Sequence, residues 1–393
     1  MPKIIKLVEE KQMCSLPWVH TELSLQHDNV KPCCKYGDTL GKISDGFVNV
    51  WNNQYSQQLR QDLINGVERP ECKACDVSPD EFSYKKWKNS LYAKHFDFLE
   101  TTDTEIPNTP SIFHFSLSNT CNLACRMCNP RQSSKITQMV KKHTELQKYL
   151  DLHEYQKKIN VETLRGSFKN VVFVTFAGGE PIIDDDTIKV IRMIKEESTK
   201  LKAVNFSTNM TNINDELFAE LSNLDAMVMF SISIDGPPHV HNYIRYHCEW
   251  ETMMKNLAYI IKNYPKIKFS VNTTVSIFNV GYVTDTLDTI KKLQQDFKIP
   301  LRNLMVSPVI DKGFLHPCLL PQEIKDQYLD KINSYTKTLI LQDSDFLIPT
   351  AISMLNGTVD DSLDKFIGYA KEFDRVAGTN IVDVYPEFKS FIK

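Results

Sequence analysis

From residue 111 onward, short apolar runs alternate with longer stretches in which apolar residues recur every three or four positions. The runs at 112–117, 171–176, 203–207, 227–234, 268–273 and 303–307 are expected as strands. Helices are expected at 183–197, 212–222, 249–262, 283–295 and 322–337, with one or two more inside the long segment 133–168. Strand followed by helix, repeated along the chain, predicts an α/β fold with a parallel sheet and right-handed crossovers. Six such units are too few to close an eight-stranded barrel, and a doubly wound sheet is the alternative.

The first hundred residues follow a different pattern. Residues 21–25 alternate as a short strand, 26–29 read as a turn, and 30–34 form the return arm of a hairpin. Residues 81–99 are mixed in charge and helix-compatible, with Trp87, Leu91 and Phe96 as buried positions. The threonine- and proline-rich stretch 101–110 reads as a linker. Three regions follow: a cysteine-rich 1–100, a repeating 111–310, and a helical extension 311–393. In the last, 348–366 is helix-compatible, broken by Asp360, Asp361 and Ser362, and Gly378 ends the preceding helix. Asp374 or Arg375 is available to fix this tail against the barrel, and a solvated charged face is the simpler account of both.

Composition narrows the picture. The chain has 393 residues, 42% hydrophobic and 24% charged, with a formal charge of -3, so it can bury a large core and carries no general nucleic-acid field. A local basic patch stays open. No apolar run approaches the ~18 residues needed to span a bilayer. The first six residues lack the apolar region of a secretory signal. The ten cysteines are clustered as ligands are, which fits a reducing cytoplasm better than a disulfide framework.

The clusters carry the chemistry. Cys121, Cys125 and Cys128 form a C-x3-C-x2-C loop directly after the first barrel strand. Three soft thiolates on one loop suit an iron–sulfur cluster and leave one iron open, and a zinc loop with a fourth ligand from elsewhere is the alternative. Ala177-Gly178-Gly179-Glu180-Pro181 follows the second strand, where paired glycines allow close backbone approach and the glutamate offers a negative group. Polar groups also end the later strands: Thr208 and Asn209, Ser231 and Ser233, then Arg245, Asn272 and Thr274. Asp235 reads as a turn residue or a member of the same site. Upstream, Cys14, the pair Cys33 and Cys34, and the C-x2-C pair Cys72 and Cys75 offer five thiols for one four-ligand site. Zinc fits there too, and a redox pair would leave the first three cysteines unexplained. Trp18 and His20 read as packing residues beside it, and Cys248 as an inert core thiol. Cys318, after the sixth strand, is a candidate donor or ligand at a substrate opening.

The cysteine trio with GGEP one strand later resembles the radical S-adenosylmethionine (radical SAM) enzymes, with Met127 where an aromatic residue usually precedes the third cysteine. The resemblance is firm over residues 111–310 and loose elsewhere. It implies a partial (β/α)6 TIM-like barrel and a [4Fe-4S] cluster on the trio. It also implies S-adenosyl-L-methionine held by Gly178, Gly179, Glu180 and Pro181, with Ser231 or Ser233 and Arg245 near its ribose and carboxylate. Thr208 and Asn209 line the same cavity, and Asn272 and Thr274 face either the cofactor or the substrate. The implied activity is reductive cleavage of the cofactor to methionine and a 5'-deoxyadenosyl radical that abstracts hydrogen from a substrate. The upstream cysteines resemble a twitch or shortened SPASM module carrying a second [4Fe-4S] cluster, although such modules normally follow the barrel. Implied partners are a low-potential donor such as flavodoxin or ferredoxin and a peptide or protein substrate. The alternatives are modification of a nucleotide, sugar or RNA, and a non-enzymatic zinc scaffold.

Overall fold

The computed structural model describes residues 14–75, 103–106, 109–152, 158–299, 301–309, 312–335 and 346–392. The helix expected over 81–99, with Trp87, Leu91 and Phe96, lies outside the described residues, as does part of the linker.

Ten strands are present among the described residues. The first two, β1 (His20–Ser24) and β2 (Asn29–Lys31), form the expected hairpin. They are followed by β3 (Ile112–Ser116), β4 (Ala124–Cys125), β5 (Phe173–Ala177) and β6 (Ala203–Thr208). The last four are β7 (Met227–Ser233), β8 (Arg245–Tyr246), β9 (Lys268–Val275) and β10 (Leu301–Pro308). Eight of them make one open sheet in the order β10-β9-β7-β6-β5-β3-β1-β2, parallel throughout except at β2. All six strands expected from apolar runs are there. Their crossovers carry the helices Asp185–Glu197, Asp215–Ser222, Trp250–Asn263 and Val283–Phe297, giving the α/β partial barrel. The 133–168 segment contributes the helix Ser134–Lys142, capped by Ser133.

Alternation along the strands gives the sheet two different faces. Phe113, Phe115, Phe176, Phe206, Phe230 and Phe269 are buried in the main core. Their rings run from strand to strand, with centroids 5.3 Å apart between Phe115 and Phe176 and 4.9 Å between Phe176 and Phe206. Burying each such ring contributes roughly 2 kcal/mol. The intervening positions put polar groups on the opposite face, in register across strands. Glu22, His114, Thr175 and Asn205 form one row, and Ser24, Ser116 and Ala177 form the next. A lumen of this kind is suited to a polar ligand.

The hairpin is not set apart from this sheet. β1 lies parallel to β3 from His20↔Ile112 to Ser24↔Ser116. It carries the same alternation, with Thr21 and Leu23 buried, so it covers the β3 edge without changing either face. Arg60 strengthens the junction by donating to the carbonyls of Pro17, at 2.9 Å, and Thr104, at 2.7 Å.

The tail breaks as expected and then runs further. Leu347–Leu355 ends before the Asp360–Ser362 region, and a second helix spans Leu363–Ala377. Gly378 closes it in a left-handed conformation at φ +67.

Candidate functional site

The cysteine loop is held at both ends. Ser134 exchanges hydrogen bonds with the backbone of Cys121, its hydroxyl accepting from the N–H and donating to the C=O, each at 3.1 Å. Ser133 donates to the Leu123 carbonyl at 2.7 Å. The middle of the loop forms β4, whose pairing with β8 sets Cys125 opposite Arg245. Between the second and third cysteines, Arg126 is fully buried. Its guanidinium lies 3.7 Å from the Tyr243 ring centroid and 4.3 Å from that of Phe373, and it pairs with Asp374 at 2.7 Å. Asp374 therefore joins the tail to the cysteine loop, whereas Arg375 is exposed and paired with Glu372.

The GGEP turn approaches this loop closely, and its glycines are required. Both have positive φ, +72 at Gly178 and +54 at Gly179. A Cβ at Gly178 would stand 2.3 Å from Ser116 Oγ, and one at Gly179 would stand 2.5 Å from the Thr120 carbonyl oxygen. Glu180 is buried and accepts from the Thr208 hydroxyl at 2.8 Å and the Asn209 N–H at 2.6 Å. Burial raises its carboxyl to about 7 against those hydrogen bonds. Asn209 reaches onward, donating to Asn122 within the cysteine loop at 3.0 Å. Pro181 starts the following 3-10 turn.

These groups meet at a cavity of about 270 Å³ at the C-terminal ends of the strands. Cys121, Cys125 and Cys128 line one side, and Gly178, Gly179 and Glu180 the next. Thr208, Asn209, Ser233, Arg245 and Thr274 complete most of the wall. Of the two serines on β7, Ser233 lines this cavity. Ser231 lies deeper, within 2.7 Å of Ser270 and donating to Asn205 at 3.1 Å. Asn272 pairs in register with Ser233 and is absent from the cavity wall, as are Pro181 and Cys318. Cys318 lies in a 3-10 turn where its N–H donates to His316 at 3.3 Å. Cys248 packs with Leu123 and Cys125 behind the loop, a core thiol as expected.

Arg245 owes its position to Asp235, a residue that the sequence left undecided. Asp235 is buried and pairs with Arg245 at 2.6 Å, and it also accepts from the Thr274 N–H at 2.8 Å. The guanidinium lies 4.0 Å from Cys125 Sγ and faces the cavity, so a single arginine touches both the thiol and the space beside it. A reader of the sequence could have found Asp235 as a charged residue directly ending an apolar strand.

Residues 115–296 match the Radical SAM superfamily. That stretch, just under half of the chain, is similar to radical SAM enzymes. No curated protein matches it. Among solved structures, histidine-tagged anSMEcpe with bound AdoMet gives a TM-score of 0.39 at 19% identity, covering 58% of this chain and 60% of that one. Streptococcus suis SuiB bound to S-adenosylmethionine gives 0.36 at 15% identity, covering 71% of this chain and 61% of that one. SuiB bound to precursor peptide SuiA gives 0.38 at 14% identity, covering 84% and 70%. The chain thus spans about three-fifths of the anSMEcpe chain.

The residues present fit the cluster that the radical SAM match implies. Cys121, Cys125 and Cys128 all line the same cavity. Three soft thiolates on one loop are the donor set such a cluster takes. Burial pushes the Cys121 thiol up to about 12 and Cys125 well above its ordinary value, a cost that bound iron would offset.

The upstream cysteines sit on three neighbouring segments. The Gly37 N–H, just beyond Cys33 and Cys34, donates to the Glu71 carbonyl beside Cys72 at 2.7 Å. His20 Nδ1 lies 2.9 Å from the Pro32 carbonyl, joining the strand after Cys14 to the same turn. Cys14 and Cys34 are exposed, and Cys33 and Cys72 are partly covered. The side chain of Cys75 lies outside the described residues.

Proposed function

We propose that this protein is a radical SAM enzyme that holds a [4Fe-4S] cluster on Cys121, Cys125 and Cys128, binds S-adenosylmethionine beside it, and modifies a peptide or protein. One observation carries the reading: a single cavity brings together the cysteine trio that follows β3, the Gly178-Gly179-Glu180 turn that follows β5 and a pre-positioned Arg245 that follows β7. When bound, cluster and cofactor together supply a carbon radical able to abstract hydrogen from an unactivated C–H bond. The chain's own residues bind and orient. Glu180, drawn toward its ionised form by a nearby cation, accepts from the cofactor's amino group. Arg245, immobilised by Asp235, presents paired donors to its carboxylate. Ser233, Asn209 and Thr274 supply hydrogen-bonding groups for the rest. Lys312 donates to the Cys128 carbonyl and fixes the third cysteine from the opposite side.

A second cluster on Cys14, Cys72, Cys75 and one of Cys33 and Cys34 is the accompanying reading, supported by the convergence of their three backbone segments. A flavodoxin or ferredoxin would supply the electrons. The test is iron and sulfide content after anaerobic reconstitution, paired with a deoxyadenosine assay, in wild type and in the Cys121→Ala, Cys125→Ala, Cys128→Ala triple variant. The expected result is about eight irons in the wild type and about four in the variant, with cofactor cleavage lost. Four irons and none, respectively, would remove the second cluster. Zinc alone in both proteins would sink the enzyme reading.

A further inference from the structure

A larger cavity, about 730 Å³, lies against the N-terminal hairpin and shares Gln132 with the cofactor cavity. One wall comes from β1 and β2, and the other includes Tyr149, Asp151, Arg131 and Lys312. Its floor is the polar face of the sheet. Register sets Asn29 opposite Ser24 and Ser24 opposite Ser116, with Glu22 one row away.

Three atoms on the hairpin wall are left unsatisfied. Glu22 Oε2, Ser24 Oγ and Asn29 Oδ1 are buried without a hydrogen-bond partner, and all three residues line this cavity. Buried polar atoms are normally paired, so two acceptors and a hydroxyl together in one hollow mark a place where donors arrive from outside the chain. Two connections lead from here to the cofactor site. Ser116 is the residue against which Gly178 packs, and Lys312 donates to the carbonyl of Cys128. An occupant of the hairpin cavity therefore lies next to the cluster loop.

We propose that this cavity seats a basic residue of the peptide substrate, with a guanidinium or ammonium group on Glu22, Ser24 and Asn29. A carboxylate among the three groups favours a cationic donor over a neutral one, because charge-assisted hydrogen bonds are stronger. Arg131 and Lys312 across the cavity suit the peptide's carbonyl groups. The inference rests on the adjacent cavity being the cofactor site, and it gives the hairpin a role in selecting substrate.

The probes are Nα-acetylarginine amide and its neutral isostere Nα-acetylcitrulline amide, titrated by NMR into the reconstituted full-length protein. S-adenosylmethionine binding is measured on the same samples. The wild type is expected to bind the arginine probe about tenfold tighter than the citrulline probe. Glu22→Gln is expected to abolish that preference while cofactor affinity stays unchanged. Asn29→Ala, which keeps the charge, is expected to weaken both probes and preserve the preference. Equal binding of the two probes by wild type, no saturable binding, or a Glu22→Gln variant that still discriminates would each overturn the proposal. Loss of cofactor binding with arginine preference intact would instead count against the cofactor reading alone.

Discussion

Glu180 shows how far burial alone can change a residue. Its carboxyl is raised from 4.5 to about 7 because desolvation outweighs the donors around it. The folded protein therefore keeps this proton at a pH where the unfolded chain has lost it. Without cofactor, stability should fall as pH rises from about 4.5 to about 7, by about 3 kcal/mol at most from this group. Urea titrations across that range should show the decline, and Glu180→Gln should flatten it. A variant as pH-sensitive as the wild type would refute the assignment. The neighbouring turn tests geometry rather than charge. Gly179→Ala combines a positive φ with a Cβ placed 2.5 Å from a backbone oxygen, which cannot move without displacing the cysteine loop. It should lower stability by roughly 2 kcal/mol and reduce iron retention after reconstitution.

The element that most constrains the site is the helix Leu363–Ala377, far from it in sequence. Tyr369 donates to the Arg126 carbonyl, while Asp374 receives the Arg126 guanidinium and the Ile381 N–H at 2.7 Å. The helix also has room for Tyr149 only because position 368 is glycine, where a Cβ would stand 2.4 Å from the tyrosine oxygen. Removing one partner of a buried pair leaves the other charge uncompensated. Arg126→Leu should therefore cost about 3 to 5 kcal/mol by urea denaturation, and it should lower iron content. The Arg126→Leu, Asp374→Leu double variant should recover part of that loss. Arg375→Ala, on the exposed side of the same helix, should leave the unfolding midpoint unchanged. Equal effects of Arg126→Leu and Arg375→Ala would mean that the helix is only a cover.

At the scale of the molecule, the hairpin and the barrel are one sheet. Deleting residues 1–37 would strip β1 and β2 and leave β3 with an unpaired edge. Such an edge recruits other strands. The truncated protein should self-associate in a concentration-dependent way by light scattering, and a stable monomer would argue that the hairpin is dispensable to the fold. The same deletion removes Glu22, Ser24 and Asn29, so it also removes the wall that the substrate is proposed to use.

The sequence by itself determined the strands, the cysteine loop and the glycine turn, because each is written in neighbouring residues: alternation, thiol spacing, paired glycines after an apolar run. It also placed Cys248 in the core and Gly378 at a helix end. Tertiary structure alone decided the rest. Ser231 and Ser233 are indistinguishable along the chain, and only the depth of each strand position separates a core hydroxyl from a cavity one. Asp235 could serve a turn or a site until Arg245 was seen to meet it, and Asp374 acquires its role from an arginine 248 residues away. The hairpin's union with β3 depends on an available edge and a matching register, which no local pattern records. Chemistry carried by consecutive residues is legible in order, whereas partnership, burial and the walls of a cavity exist only once distant segments have been brought into contact.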